Sequence, residues 1–408
     1  MNMIRSSVFG MAATVVAMTL PMPVSAHDIV IGAAVSATGK YAVNGKHTTN
    51  GYNLAVSTVN AMGGITIDGK SHNIVVKYYD DESTAARGTQ LAERLIQQDG
   101  VKLMLGPYSS GMTKAIAPVT EKYKIPMVEA NGASRSLFNK GYKYLFAVLS
   151  TSEQYLKSAI DLAAAQAKMD GKKASDVRIA VAVRNDPFSL DIRAGILEDA
   201  KRYGMTVVVD EKLPKDVTDL TTFLTKVKAV KPDIMVVSAH TLGGALFVRQ
   251  MREQQVNVPI VAMTHCEAAK VTDTATFGNA GEGILCAAQW SEKLNYSDKW
   301  FGTAANYAKT FEAEFGYVPP YQAAESSAAV LVYADAIERA GSLDTEKIRD
   351  ALAATEMQTF YGNIKFAPTG QNTAKPMVLR QIQNGEYRLV APLEWADSKF
   401  MYPREVIY

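Results

Sequence analysis

The sequence predicts an α/β protein of two lobes, each built on a mainly parallel sheet with helices on both faces. Three observations lead there. Short β-rich runs alternate with helix-length amphipathic segments. The runs are apolar enough to be covered on both faces, as parallel strands are. A chain of 408 residues is too long for one ordinary core and suits two.

The alternation opens with a strand at 29–31, a helix over 53–59, a strand at 74–79 and a helix over 91–96. A strand at 101–105, a helix around 113–122 and a strand at 125–128 follow. A second series has strands at 177–183, 205–209, 234–237 and 259–262, with helical stretches between them. Helical spacing then returns over 303–315 and 322–340, where Ala340-Gly341 forms a C-cap pattern. No Gly/Ser-rich linker or short repeat separates the two series, so several crossings are expected to join the lobes.

Arg5 precedes an apolar run over 8–20, and Val24-Ser25-Ala26 then supplies a small-x-small cleavage pattern. Residues 1–26 therefore read as a signal peptide and His27 as the first mature residue, with no stable membrane insertion. The run is shorter than the roughly 20 apolar residues of a spanning helix. Lys plus Arg number 43 against 41 Asp plus Glu, with no basic run, so neither nucleic acid nor an anionic membrane is an expected partner. Cys266 and Cys286 are the two cysteines. In an oxidising compartment they can pair or remain two buried thiols, and His265 beside Cys266 is too thin a ligand set for zinc. No metal and no cofactor are expected.

In parallel sheets ligands bind beyond the carboxyl ends of the strands, where loops lead into helix N-termini. The clearest such loop is Leu105-Gly106-Pro107-Tyr108-Ser109-Ser110-Gly111. Ser109 or Ser110 either caps the following helix or presents a hydroxyl to an anionic ligand. The next, Glu129-Ala130-Asn131-Gly132-Ala133, is either an ordinary turn or a place where backbone and an amide approach a ligand. The chain lacks a G-x-S-x-G elbow, a Walker loop, a dinucleotide fingerprint after a strand and an H-E-x-x-H pair, which argues against an enzyme.

The ordered set of motifs resembles the branched-chain amino-acid-binding (Leu/Ile/Val-binding) family, the type I periplasmic solute-binding proteins of ABC transporters. Its bearers are Ile31-Gly32 through Ser36, Thr38-Gly39, Gly45, Gly51-Tyr52-Asn53 and Asn60-Ala61-Met62-Gly63-Gly64. Further on come Asp80-Asp81, Gly106-Pro107-Tyr108, Gly281-Glu282-Gly283-Ile284, Tyr361-Gly362 and Phe366. The resemblance implies two Rossmann-like lobes joined by a three-crossing hinge. Lobe one is then 27–149 with 290–374, lobe two 150–289 with 375–395, and 396–408 a C-terminal tail. It further implies a periplasmic monomer that closes on a small-molecule ligand and docks on ABC permease subunits.

By position the resemblance assigns the ligand carboxylate to Ser110 and to Asn131, Gly132 and Ala133, with Phe188, His240, Cys266 and Glu267 in the second lobe. The family's two acidic positions against a ligand ammonium fall on Cys266 and near Ser150-Thr151-Ser152, which are neutral. Tyr41 and Tyr108 stand in first-lobe loops, and with Phe188 they either cover the faces of an aromatic ligand or serve as core. The expected ligand is a small carboxylate with an apolar or aromatic body and not a standard amino acid. A branched-chain amino acid or amide, and a sensory role with the same type of ligand, are the alternatives.

Overall fold

The structure, a computed structural model, describes residues 28–404, 406 and 408. The leader read at 1–26 and the start at His27 lie outside the described residues. Within them the chain has the expected two-lobed α/β architecture.

The first sheet holds β1 (Ile29–Val35), β2 (Ile74–Asp80), β3 (Leu103–Leu105), β4 (Met127–Glu129) and β5 (Leu145–Ala147), in the order β2-β1-β3-β4-β5 and parallel throughout. The second holds β6 (Arg178–Arg184), β7 (Thr206–Leu213), β8 (Ile234–Ser238), β9 (Ile260–Thr264), β10 (Leu285–Ala288), β11 (Val378–Gln383) and β12 (Glu386–Ala391), in the order β12-β11-β10-β9-β8-β6-β7. β8 and β9 are buried at every position, as strands covered on both faces must be.

The second sheet is not purely parallel: β11 runs antiparallel to β10, and β12 antiparallel to β11. The chain turns between these last strands at Asn384-Gly385, with φ of 55° and 75°. Positive φ at both central residues is the demand of a two-residue I′ hairpin, and Asn-Gly meets it.

The long helices are α1 (Ala42–Ala61), α2 (Ala85–Gln97), α3 (Ser110–Lys122), α4 (Lys157–Met169), α5 (Pro187–Tyr203), α6 (Thr221–Val230), α7 (His240–Glu253), α8 (Ala304–Phe315), α9 (Tyr321–Ala340) and α10 (Thr345–Ala353). α1 starts well before the helix expected at 53–59 because Gly45 and Gly51 weaken the helical pattern. They are used for close approach: a Cβ would stand 1.8 Å from Ser36 O at Gly45 and 2.2 Å from Ala323 O at Gly51. α1 thus lies directly on the end of β1 and on α9.

Three segments pass between the sheets, and side chains tie them together. Gln289 accepts from Ser150 N–H at 3.1 Å and donates to Ser150 O at 2.8 Å, while Ser150 Oγ donates to Lys375 O at 2.6 Å. Lys375 Nζ in turn donates to Gln289 O. A small buried polar cluster therefore joins the three crossings to one another.

Candidate ligand-binding site

The carboxyl ends of β3 and β4 face those of β6, β8 and β9 across the cleft. On the first-lobe side, β3 ends in Gly106-Pro107-Tyr108-Ser109, which leads into α3 at Ser110. Gly106 is required, since a Cβ there would lie 2.0 Å from Glu129 Oε2. Ser109 has extended backbone, and its side chain makes no capping bond to α3. Ser110 Oγ accepts from Ser134 N–H at 3.0 Å, which leaves its own hydrogen to be donated. Behind the next loop, Glu129 accepts from Asn131 N–H at 2.6 Å and from the Thr113 hydroxyl at 2.9 Å. Burial pushes its carboxyl up to about 7, against those hydrogen bonds.

On the second-lobe side, Asp186 caps α5 by accepting from Ser189 N–H at 3.0 Å, and Pro187 occupies the first helical turn. That start places Phe188 in the cleft. His240 and His265 follow the ends of β8 and β9, and both hold left-handed backbone, with φ of 55° and 63°. Non-glycine residues held so collect at functional sites. Tyr108 reaches across from the first lobe, its hydroxyl 3.1 Å from His240 Nδ1 and 3.0 Å from His265 Nε2.

In this relay the Tyr108 hydroxyl bridges His240 and His265, and His240 Nε2 lies 3.2 Å from Asp186 Oδ2. Burial first, then His240 and Arg184, hold His265 well below the usual histidine range and hence neutral. Burial pushes the Asp186 carboxyl up, but His240, the Ser189 N–H and Arg184 outweigh it and hold the group at about 2.

The cavity between these walls is closed by Tyr155 from the first crossing and by Tyr321, Gln322 and Glu325 at the start of α9. Tyr155 meets Phe188 edge-on at 5.0 Å between ring centroids, and Phe188 stands 5.3 Å from the His240 ring. The cavity has a volume of about 10 Å³, no more than a water fills, far below the several hundred Å³ of an ordinary small-molecule site. Glu325, fully buried, has its carboxyl raised by burial against the pull of Lys375 and accepts from the Tyr361 hydroxyl at 3.2 Å. Burial lowers Lys375 to about 7, against Glu325.

Of the residues singled out from sequence, the structure brings Tyr108, Ser109, Ser110, Asn131, Phe188 and His240 to this one cavity. Tyr41 lies one layer out, edge-on to Tyr108 at 5.4 Å, and lines an outer cleft with Lys40, Asn44 and Arg184. Gly132 and Ala133 belong to the same loop but turn inward. A Cβ at Gly132 would meet Thr113 Oγ1 at 2.4 Å, and Ala133 O accepts from Ser152 N–H at 2.7 Å.

Two further residues read from sequence do not line this cavity. Cys266 is bonded to Cys286, with a Cα separation of 5.8 Å, inside the second-lobe core. Glu267 is turned to Arg380, with which it forms a largely buried ion pair. Successive side chains leaving a strand point to opposite sides, so a shift of one residue exchanges cavity for core. His265, one position earlier, holds the place read for Cys266.

Tyr155, Tyr321, Gln322 and Glu325 carried no sequence-level assignment. The pair Pro319-Pro320 before α9 was a usable signal, since it fixes where that helix starts. Among the described residues no cluster of His, Cys, Asp and Glu is placed to hold a metal ion, and no helix is long and apolar enough to cross a membrane.

The family model that matches the chain is described as periplasmic binding protein and covers residues 28–386. The Leu/Ile/Val-binding protein homolog 8 of Brucella abortus is 24% identical over 386 residues, spanning 92% of this chain and 94% of its own. Among solved structures, the branched-chain amino acid transporter substrate-binding protein LivJ of Streptococcus pneumoniae, in complex with isoleucine, aligns with a TM-score of 0.75 at 23% identity. The alignment covers 90% of this chain and 100% of that one. A solute-binding protein of R. palustris in complex with benzoate aligns with a TM-score of 0.75 at 19% identity, over 89% of this chain and 95% of that one.

Proposed function

Because this chain belongs to the periplasmic binding protein family and is a solute-binding protein, not an enzyme, we propose that it captures a small aromatic carboxylate between its lobes for an ABC importer. The observation that carries the reading is the composition of the cavity. Tyr108, Tyr155, Phe188 and Tyr321 supply flat apolar walls, while Ser110 at the start of α3 retains a hydrogen to donate. A carboxylate set on Ser110 and the N-terminal end of α3 would direct its ring at those walls. Around the outer cleft Lys40 pairs with Asp216 and Arg184 with Asp186, which leaves Lys215 as the cation that favours the arrival of an anion.

Both ligand types named for the structural neighbours are carboxylates, isoleucine in one and benzoate in the other. Glu325 favours isoleucine-like ligands as the second reading, because an acid lining the cavity suits an ammonium. A thermal-shift panel on ligand-stripped protein decides between them: benzoate-like acids, aliphatic keto and hydroxy acids, the twenty amino acids and neutral amides. A ligand at a hundredfold excess over its Kd adds about 2.7 kcal/mol. The largest shift is expected from an aromatic acid. If leucine, isoleucine or valine gives it and aromatic acids give none, the aromatic reading is overturned while solute binding stands. The leader read at residues 1–26 suits this role, and N-terminal sequencing of exported protein is expected to begin at His27.

A further inference from the structure

The polar atoms of the cavity are unequally matched. Gln322 is 1% exposed and lines the cavity, yet neither its Oε1 nor its Nε2 has a hydrogen-bond partner. Asn131 Oδ1 is likewise buried without a partner. Its orientation is set from behind: Ser326 Oγ spends its hydrogen on Gln322 O at 2.6 Å, so toward Asn131 it can only accept. It accepts from Asn131 Nδ2 at 3.0 Å, and that fixes which end of the Asn131 amide is the carbonyl oxygen, on a residue that lines the cavity.

The cavity therefore offers two unmet acceptors, Asn131 Oδ1 and Gln322 Oε1, against one unmet donor, Gln322 Nε2. A bare carboxylate brings acceptors only and would leave both oxygens buried and dry, which is unfavourable. A ligand carrying a hydroxyl supplies the missing hydrogen. We propose that Gln322 and Asn131 form a donor-reading subsite, so that the preferred ligands are hydroxylated aromatic carboxylates and the unsubstituted acids bind weakly. This rests on the aromatic-carboxylate reading above. The second amide acceptor and Glu325, which also lines the cavity, extend the same preference to a dihydroxylated ring.

The test is calorimetry on the full, ligand-stripped chain with benzoate, 4-methylbenzoate, 3-hydroxybenzoate, 4-hydroxybenzoate and 3,4-dihydroxybenzoate. The best hydroxylated acid is expected to bind about tenfold or more tightly than benzoate and 4-methylbenzoate, because a site built for a hydroxyl rejects the analogue that lacks one. Gln322→Leu should shrink that ratio to about threefold or less by weakening the hydroxylated acids. The proposal is overturned if benzoate or 4-methylbenzoate binds wild-type protein as tightly as every hydroxylated acid, or if a folded Gln322→Leu keeps the full ratio. The wild-type comparison stands even where the variant fails to fold. Should no aromatic acid bind, the reading it rests on fails separately, and 3-hydroxybutyrate against butyrate asks the same question. A preference for the hydroxylated partner supports the subsite, and equal or absent binding overturns it.

Discussion

Ser110→Ala removes one oxygen, and the structure allows its two consequences to be worked out separately. The Ser110 hydroxyl accepts from Ser134 N–H at 3.0 Å and retains its own hydrogen. With a ligand carboxylate as acceptor, that hydrogen makes a bond to a charged group, worth roughly 1.5–3 kcal/mol. The loss corresponds to about a 10- to 150-fold rise in Kd. The second consequence concerns folding: Ser134 N–H, buried, is left without an acceptor, which costs about 1–3 kcal/mol and lowers the melting temperature. Calorimetry on stripped protein with benzoate and with benzamide separates the two. The carboxylate should lose more affinity than the neutral amide, whereas a general loosening of the loop would weaken both alike. A Kd for benzoate within about twofold of wild type, in a variant with unchanged circular dichroism, would refute the role given to Ser110.

Replacing Cys266 and Cys286 together by Ala opens a loop of 20 residues and should lower stability by about 3 kcal/mol in urea melts, with affinity nearly unchanged because the bond lies in the second-lobe core. A loss of binding without loss of stability would contradict that placement. Glu129→Gln should gain on wild type as pH rises. The folded-state pKa is raised from 4.5 to about 7, so the wild-type contribution is fully present below 4.5 and is lost as pH climbs to 7, by at most about 3 kcal/mol. A stability difference that is flat over that window, followed by chemical denaturation, would exclude it. Tyr108→Phe leaves His240 Nδ1 and His265 Nε2 without the hydroxyl that joins the lobes. Ligand release measured by stopped flow should quicken by about tenfold, and an unchanged rate would show that the relay does not hold the closed form.

Much of the architecture was legible because burial on both faces writes long apolar runs: residues 177–183 and 234–237 nearly coincide with β6 and β8. β5 was not legible, since three residues carry too little pattern. β11 and β12 have their signal in Asn384-Gly385, a hairpin turn that a purely parallel sheet has no place for. At the site, Ser110 could be read locally because strand end, turn and helix start lie within a few residues. His265 was missed by one position, the smallest error that sends a side chain to the other side of a strand end. Gln322 and Glu325 could not be reached by the same reasoning. They enter the cavity at the start of a helix far along the chain, and nothing near them in sequence marks the β3 and β4 loops they face.

The division of polar and apolar groups between the lobes also dictates an order of events. Ser110, Asn131, Tyr321, Gln322 and Glu325 all belong to the first-lobe side, so a ligand can exchange its hydration for hydrogen bonds there while the cleft is open. Phe188, His240 and His265 come from the second lobe and line the same cavity. Several bonds cross the cleft, among them Asn44 Nδ2 to Thr241 Oγ1 at 2.9 Å and Arg184 to the Tyr41 hydroxyl at 3.3 Å. Were those the whole account, closure would need no ligand. Against them stand the amides of Gln322 and Asn131, three atoms of which have no hydrogen-bond partner among the protein groups. Burial without a partner would oppose closure by about 1–3 kcal/mol for each such atom. A ligand that meets them removes this opposition and leaves the cross-cleft bonds in force. On the proposed reading, the unmet amides would make closure depend on the ligand that meets them.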